Sequence, residues 1–312
     1  MSSRPFAVDL QLYGPDARPT KALSPAKCRR YCRRLARRHY ENFTVVSWLL
    51  PRRLCQHFYN VYAYCRWADD LADETGDPKH GLALLRWWEG LLHECYRGQA
   101  WHPVFVALAE TIQQFEIPVD PLADLLVAFR QDQQVTRYET LEQVLEYCRY
   151  SANPVGRLVL YLGRCCDPRR GQLADSICTG LQLANFCQDV ARDWQRGRVY
   201  LPQSHLRRFG CDLSSLVPGQ PSDAFRQVLK AEVAEAEGWL HRGLPLVGMV
   251  PEELRLDVAL FVQGGLAIVE AIRRQDYDVW SHRPEVGKME KLRLAARCWW
   301  QLHRGTFPRG PS

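Results

Sequence analysis

Two stretches of the chain carry oxygen-bearing side chains at spacings that could do chemistry. In Asn185-Phe186-Cys187-Gln188-Asp189-Val190-Ala191-Arg192-Asp193, the residues Asn185, Asp189 and Asp193 stand at i, i+4 and i+8. On a helix, at roughly 100° per residue, such side chains stack along one face. Far upstream, Asp69-Asp70-Leu71-Ala72-Asp73-Glu74 repeats the pattern, with Asp69 and Asp73 at i, i+4. Like charges so placed repel, and bound cations remove that cost. Oxygen-only ligand sets suit Mg²⁺, which shares its shell with water and substrate phosphates. The candidate metal ligands are therefore Asp69, Asp70, Asp73, Asn185, Asp189 and Asp193. The chemistry they suggest is several Mg²⁺ ions holding a diphosphate and withdrawing electrons as it leaves.

A pair of helical carboxylates is usually just a solvated face. Three features argue otherwise here. The first cluster follows the aromatic, apolar run Phe58-Tyr59-Asn60-Val61-Tyr62-Ala63-Tyr64-Cys65. Asp is a poorer helix former than Glu, so its repeated use in mid-helix points to a need for short, rigid carboxylates. Asn185 adds a third oxygen to the second face. No Walker A sequence, dinucleotide fingerprint or kinase set is present, so the phosphate falls to metal and basic side chains. Arg66 flanks the first cluster, and Arg198 and Tyr200 follow the second; a lone Arg is commonly only a surface ion pair.

In Tyr147-Cys148-Arg149-Tyr150-Ser151-Ala152-Asn153-Pro154-Val155-Gly156, Pro154 breaks a helix and Gly156 permits close approach. The stretch reads either as a packing kink or as a helix opened so that Tyr147 and Asn153 line a cavity. The rings of Phe43, Tyr62, Phe129, Tyr147 and Phe186 could steady a carbocation by cation–π contact. Core packing is the commoner role for any one of them.

Helices must position these groups. Residues 1–22, with Pro5, Gly14, Pro15 and Pro19, read as an irregular arm. A basic helix follows from Ser24 to about residue 40. Helical patterns then cover about 51–76, 79–97, 103–116 and 120–135, and 141–162 with an interruption at Asn153-Pro154. Further patterns cover 173–195, 222–242, 252–275 and 288–303. Strand signals are nearly absent and no linker stands out. The expectation is an all-α helical bundle around a central cavity: one domain over 23–304, with a tail at 305–312.

The 312 residues carry a net charge of +6 from 41 basic and 35 acidic side chains. The basic residues are dispersed, which argues against nucleic acid as a partner. The 12 Cys contain no CxxC pair, so reduced thiols in a cytoplasmic protein are expected. The first ten residues lack a signal-peptide pattern, and no apolar run approaches the roughly 18 residues of a membrane span. Arg29, Arg30, Arg33, Arg34, Arg37 and Arg38 give the first long helix a face with two readings. It is either solvated or set against the inner face of an anionic membrane.

The set Asp69-x3-Asp73, Tyr147-Cys-Arg-Tyr-Ser-Ala, Asn185-x3-Asp189-x3-Asp193 and Gly197-Arg-Val-Tyr-Leu-Pro resembles the squalene/phytoene synthase family. The likeness runs from about Tyr40 to Phe261 and implies the class I isoprenoid synthase fold. Within the family, Tyr40-Glu41-Asn42-Phe43-Thr44-Val45-Val46-Ser47 and Ser151-Ala152-Asn153-Pro154-Val155-Gly156 resemble the bacterial hydroxysqualene synthase branch. Condensing members usually carry Arg where this chain has Gln188, and Glu where it has Arg192. The resemblance implies Mg²⁺-dependent conversion of presqualene diphosphate and water to hydroxysqualene. It implies no NADPH, and a presqualene diphosphate synthase upstream. Arg66 and Arg198 are then diphosphate contacts, and Tyr147 orients water or the leaving group. Phe43, Tyr62, Phe129, Asn153, Phe186, Gln188 and Tyr200 are substrate contacts. A condensing synthase making presqualene diphosphate, squalene or phytoene from farnesyl or geranylgeranyl diphosphate is the alternative. A non-catalytic assembly factor of the same fold fits less well, because both acidic clusters are whole.

Overall fold

The computed structural model describes residues 6–17, 23–38, 51–73, 76–211, 213 and 221–308. The chain forms two compact units, Met1–Gln134 and Val135–Ser312. The sequence reads instead as one domain, because no Pro-, Gly- or Ser-rich linker marks the boundary at Gln134 and Val135. No strand occurs among the described residues, only an isolated bridge between Arg137 and Val199.

The first unit holds α1 (Phe6–Tyr13), α2 (Pro25–Arg38), α3 (Arg52–Asp73), α4 (Pro78–Tyr96), α5 (Pro103–Phe115) and α6 (Asp120–Gln131). The expected irregular arm thus contains a helix. At 8 residues it is too short to show a period, and Pro5 and Gly14-Pro15 on its flanks read as breakers. Tertiary contacts hold it: Phe6 packs edge-on against Trp67 at 5.0 Å, and Tyr31 Oη donates to the buried Asp9 at 3.0 Å. Local chemistry sets other ends. Asp77 accepts from the Lys79 N–H and caps α4, with Pro78 at the first turn. His102 does the same for α5. Helix α3 runs through the core, burying Leu54, Phe58, Tyr64, Trp67 and Leu71. Trp67 stacks on Trp88 at 5.3 Å, and Tyr64 Oη donates to the Leu122 carbonyl at 2.8 Å. These contacts fix the rotation of α3, and hence the direction in which its acidic end points.

The second unit holds α7 (Leu141–Ser151), α8 (Asn153–Leu162), α9 (Pro168–Gln188), α10 (Val190–Gln195), α11 (Gln203–Arg208), α12 (Asp223–Gly243), α13 (Leu246–Met249), α14 (Glu252–Arg274) and α15 (Lys288–His303). The interruption expected at Asn153-Pro154 separates α7 from α8. Helix α9 is the core helix. It packs so closely on α12 that a Cβ at Gly180 would lie 2.8 Å from the Leu240 backbone nitrogen. The single helix expected over 173–195 starts earlier, at the Asp167 cap, and breaks at Asp189, whose φ is −102° and ψ 14°. The break is not written locally. Gln188 and Asp189 are drawn toward residues 283 and 284, far along the chain.

Candidate active site

On α3 the three aspartates take different positions. Asp69 has a 42% exposed side chain, Asp73 is exposed and Asp70 is buried at 4%. Arg66 reaches back along the helix to both neighbours, with Nη1 3.0 Å from Asp69 Oδ2 and Nη2 paired with Asp70 Oδ1. Burial works against the Arg66 charge, but Asp70 and then Asp69 outweigh it and raise its pKa. Asp70 is thus the internal counter-ion of Arg66. It lies about 100° round the helix from Asp69, which turns it inward while Asp69 and Asp73 are more exposed. Tyr62, one turn before Arg66, is half-buried, and burial pushes its phenol up to about 12.

At the junction of α9 and α10, Asn185 is exposed while Asp189 and Asp193 are partly buried. The kink keeps their one-turn spacing: the Asp189 N–H donates to the Asn185 carbonyl at 2.8 Å and the Asp193 N–H to the Asp189 carbonyl at 2.9 Å. Arg283 is the residue sequence reasoning missed. Its Nε donates to Asp189 Oδ1 at 2.6 Å, and its Nη2 to Asp189 Oδ2 at 3.0 Å and to Gln188 Oε1 at 2.9 Å. The hydrogen bond to Asp189 raises the Arg283 pKa against the opposing effect of burial. Gln188, 6% exposed, donates its amide N–H to the Pro284 carbonyl, so both ends of its side chain are committed. Arg192 is 62% exposed, with Nη1 3.7 Å from Asp189 Oδ1. No local signal marks Arg283, which lies in a loop 94 residues beyond Asp189.

The expected aromatic residues divide. Tyr147, Phe186 and Tyr200 come together with Tyr138. Phe186 stacks on Tyr200 at 4.0 Å, Tyr200 lies 5.7 Å from Tyr138, and Tyr147 lies 5.6 Å from Tyr200 and 6.1 Å from Phe186. All four rings are buried. The loop carrying Tyr200 is tied down on both sides, by the Val199 N–H on the Thr136 carbonyl and the Gln203 N–H on the Tyr138 carbonyl, each 2.9 Å. The Arg198 N–H donates to the Asp193 carbonyl at 2.8 Å, fastening this loop to the acidic turn. Phe129 is half-buried on α6. Asn153 accepts from the Thr179 hydroxyl at 3.0 Å, linking α8 to α9. Phe43, with the whole 40–47 stretch, lies outside the described residues.

An apolar cavity of about 100 Å³ opens between α8, α9 and α14, lined among others by Val155, Val159, Ile177, Leu181, Val258 and Phe261. Gly156 borders it and makes the expected close approach. A Cβ there would stand 2.7 Å from Cys178 Sγ.

Among the described residues no three His, Cys, Asp or Glu side chains gather into a metal cluster. The donor sets are nevertheless oxygen-only: Asp69 and Asp73 on α3, and Asn185, Asp189 and Asp193 at the α9–α10 junction, where Arg283 holds both carboxylate oxygens of Asp189. Such sets fit a hard cation that completes its shell with water and phosphate oxygens. All twelve cysteines are free thiols. No helix among the described residues is long and apolar enough to cross a membrane.

This is an all-α fold of the terpenoid synthase kind. Residues 36–290 match the squalene/phytoene synthase family model, and the chain belongs to that family, whose members are enzymes acting on prenyl diphosphates. A crystal structure of the squalene synthase HpnC from Alicyclobacillus acidocaldarius is similar, at 43% identity and a TM-score of 0.78. That match covers 81% of this chain and 95% of the other. The hydroxysqualene synthase of Sinorhizobium fredii is 33% identical over 240 residues, 76% of this chain and 80% of that protein. Phytoene synthase 3 of Zea mays is 26% identical over 269 residues, 84% of this chain; the match spans 63% of its length.

Proposed function

We propose that the chain converts presqualene diphosphate and water to hydroxysqualene, releasing diphosphate. The observation that carries this reading is the buried Gln188. Its neutral amide is spent on Arg283 and Pro284 at the position where condensing relatives carry Arg. The similarity to a hydroxysqualene synthase and to HpnC supports the same branch.

Asp69 and Asp73 in the first unit would offer oxygen ligands to Mg²⁺, as would Asn185, Asp189 and Asp193 in the second, and Mg²⁺ when bound supplies Lewis-acid activation of the diphosphate leaving group. Asp70 stays with Arg66. Arg66 and Arg198 contact the diphosphate, Arg66 with a charge that Asp69 and Asp70 keep in place at any working pH. Arg283 orients Asp189 and Gln188. The Tyr138, Tyr147, Phe186 and Tyr200 rings face the cation left after ionisation. Val155, Val159, Leu181 and Phe261 exclude bulk water from the hydrocarbon. Tyr147 orients the one water that attacks the cation, and the water proton departs with solvent. Tyr62 and Phe129 in the first unit, and Asn153 in the second, are further candidate substrate contacts. The site uses no NADPH, and the substrate comes from a presqualene diphosphate synthase. The protein works in the cytoplasm, where a membrane surface can take up its long-chain alcohol product.

Purified protein given presqualene diphosphate and Mg²⁺ without NADPH should release the alcohol and diphosphate. Turnover only of farnesyl or geranylgeranyl diphosphate would establish the condensing reading, which the similarity to phytoene synthases favours.

A further inference from the structure

Among the described residues, most of the exposed large apolar side chains lie on one helix. Met289 is 64% exposed, Leu292 63%, Trp299 52% and Trp300 48%, and all four belong to α15. At roughly 100° per residue, Trp299, Leu292, Ala296, Met289 and Trp300 fall within a single arc of about 100°. The opposite face carries Cys298, 1% exposed, which docks the helix on its own unit. The apolar stripe therefore points outward, away from the contacts that hold α15 in the fold.

Cations border the stripe on both sides. Arg293, Arg297 and Arg304 follow one edge, and Lys288 the other. None of these four has an acidic partner among the described residues. The one acid of the helix, Glu290, is taken by Arg274 at 2.9 Å. Arg304 lies over the Trp300 ring at 4.3 Å, its stem along the apolar surface and its charge at the edge. Aromatic rings in the middle, with long basic side chains on either flank, are what the boundary between lipid headgroups and acyl chains selects. A second copy of this chain fits the face less well, since self-pairing would bring two such rows of cations together.

We propose that α15 is an interfacial helix. It lays Met289, Leu292, Trp299 and Trp300 into the surface of an anionic bilayer and sets its four flanking cations against lipid phosphates. This moves the expected membrane contact away from α2. That helix buries its apolar residues Cys28, Tyr31, Cys32, Leu35 and Ala36, and ties Arg29 to Glu110 at 2.7 Å and Arg33 to Gln56 at 2.9 Å. It offers charge alone, where α15 offers charge and apolar surface together. The assignment does not depend on which reaction the active site runs.

Flotation with vesicles of phosphatidylglycerol and phosphatidylcholine, against phosphatidylcholine alone, tests it on the full chain. The wild type should float with the anionic vesicles and float less as salt rises. Trp299→Ser/Trp300→Ser, and separately Lys288→Glu/Arg293→Glu/Arg297→Glu, should each lower partitioning by about tenfold or more while turnover of soluble substrate is kept. Circular dichroism checks the fold, and Met289→Gln/Leu292→Gln gives the same readout if the serine pair misfolds. A wild type that does not float overturns the assignment. So does a correctly folded serine pair that floats as well as the wild type. A dimer seen by light scattering that the serine pair dissolves, with no lipid binding in either, would replace it with self-association.

Discussion

Asp257 sits on α14 with 3% of its surface exposed and no hydrogen-bond partner for either carboxylate oxygen. Its neighbour Val258 lines the apolar cavity. Burial pushes the carboxyl from 3.8 up to about 7. Between those values the folded chain keeps a proton that the unfolded chain has lost. The folded state binds more protons there, so stability falls as pH rises through the window. The contribution is whole below pH 3.8 and gone once pH has passed about 7. At about 1.4 kcal/mol per unit, the full span is worth roughly 4 kcal/mol. Asp257→Asn keeps the shape of the protonated acid and cannot ionise. Its gain in unfolding free energy should grow from about 2 kcal/mol near pH 5 to roughly 4 kcal/mol near pH 8. Urea unfolding followed by circular dichroism at the two pH values measures this. A gain that does not change with pH, or an Asn variant less stable than wild type at the higher pH, would refute the reasoning.

Three further outcomes are expected. Gly156→Val forces a side chain into the space of Cys178 Sγ. It should cost about 1–3 kcal/mol in a urea unfolding curve and shrink the cavity, while a variant as stable as wild type would mean that α8 and α9 separate freely. Arg283→Ala releases Asp189 and Gln188 and should lower kcat on presqualene diphosphate by roughly a hundredfold, with wild-type kcat showing that the contact is only structural. Asp73→Ala and Asp189→Ala should each abolish turnover while the helical circular dichroism spectrum is kept, and wild-type rates in either would reject the metal-binding role.

What could be read from the sequence was what local chemistry decides. The break at Asn153-Pro154 is written in the proline. The accessible pair Asp69 and Asp73 follows from helical spacing, and the gathering of Tyr147, Phe186 and Tyr200 follows motifs that recur together in a family. Contacts distant in sequence were not legible. Asp70 differs from Asp69 only by a rotation of α3, which the Trp67 and Tyr64 packing fixes. Arg283 reaches Asp189 from a loop without a motif of its own, and the same contact breaks the helix at Asp189. Helix α1 forms because Trp67, Tyr31 and His102 receive its rings and Asp9, not because eight residues are a strong helix alone. The outward stripe of α15 needed the burial of Cys298 on the other face to be seen.

The central claim is that water, not hydride or a second prenyl chain, ends the reaction. Turnover of presqualene diphosphate with Mg²⁺ in ¹⁸O-labelled water, without NADPH, tests it most directly by mass spectrometry of the product. One ¹⁸O atom in a hydroxysqualene product is the result expected. A hydrocarbon product, or an alcohol without the label, would contradict it.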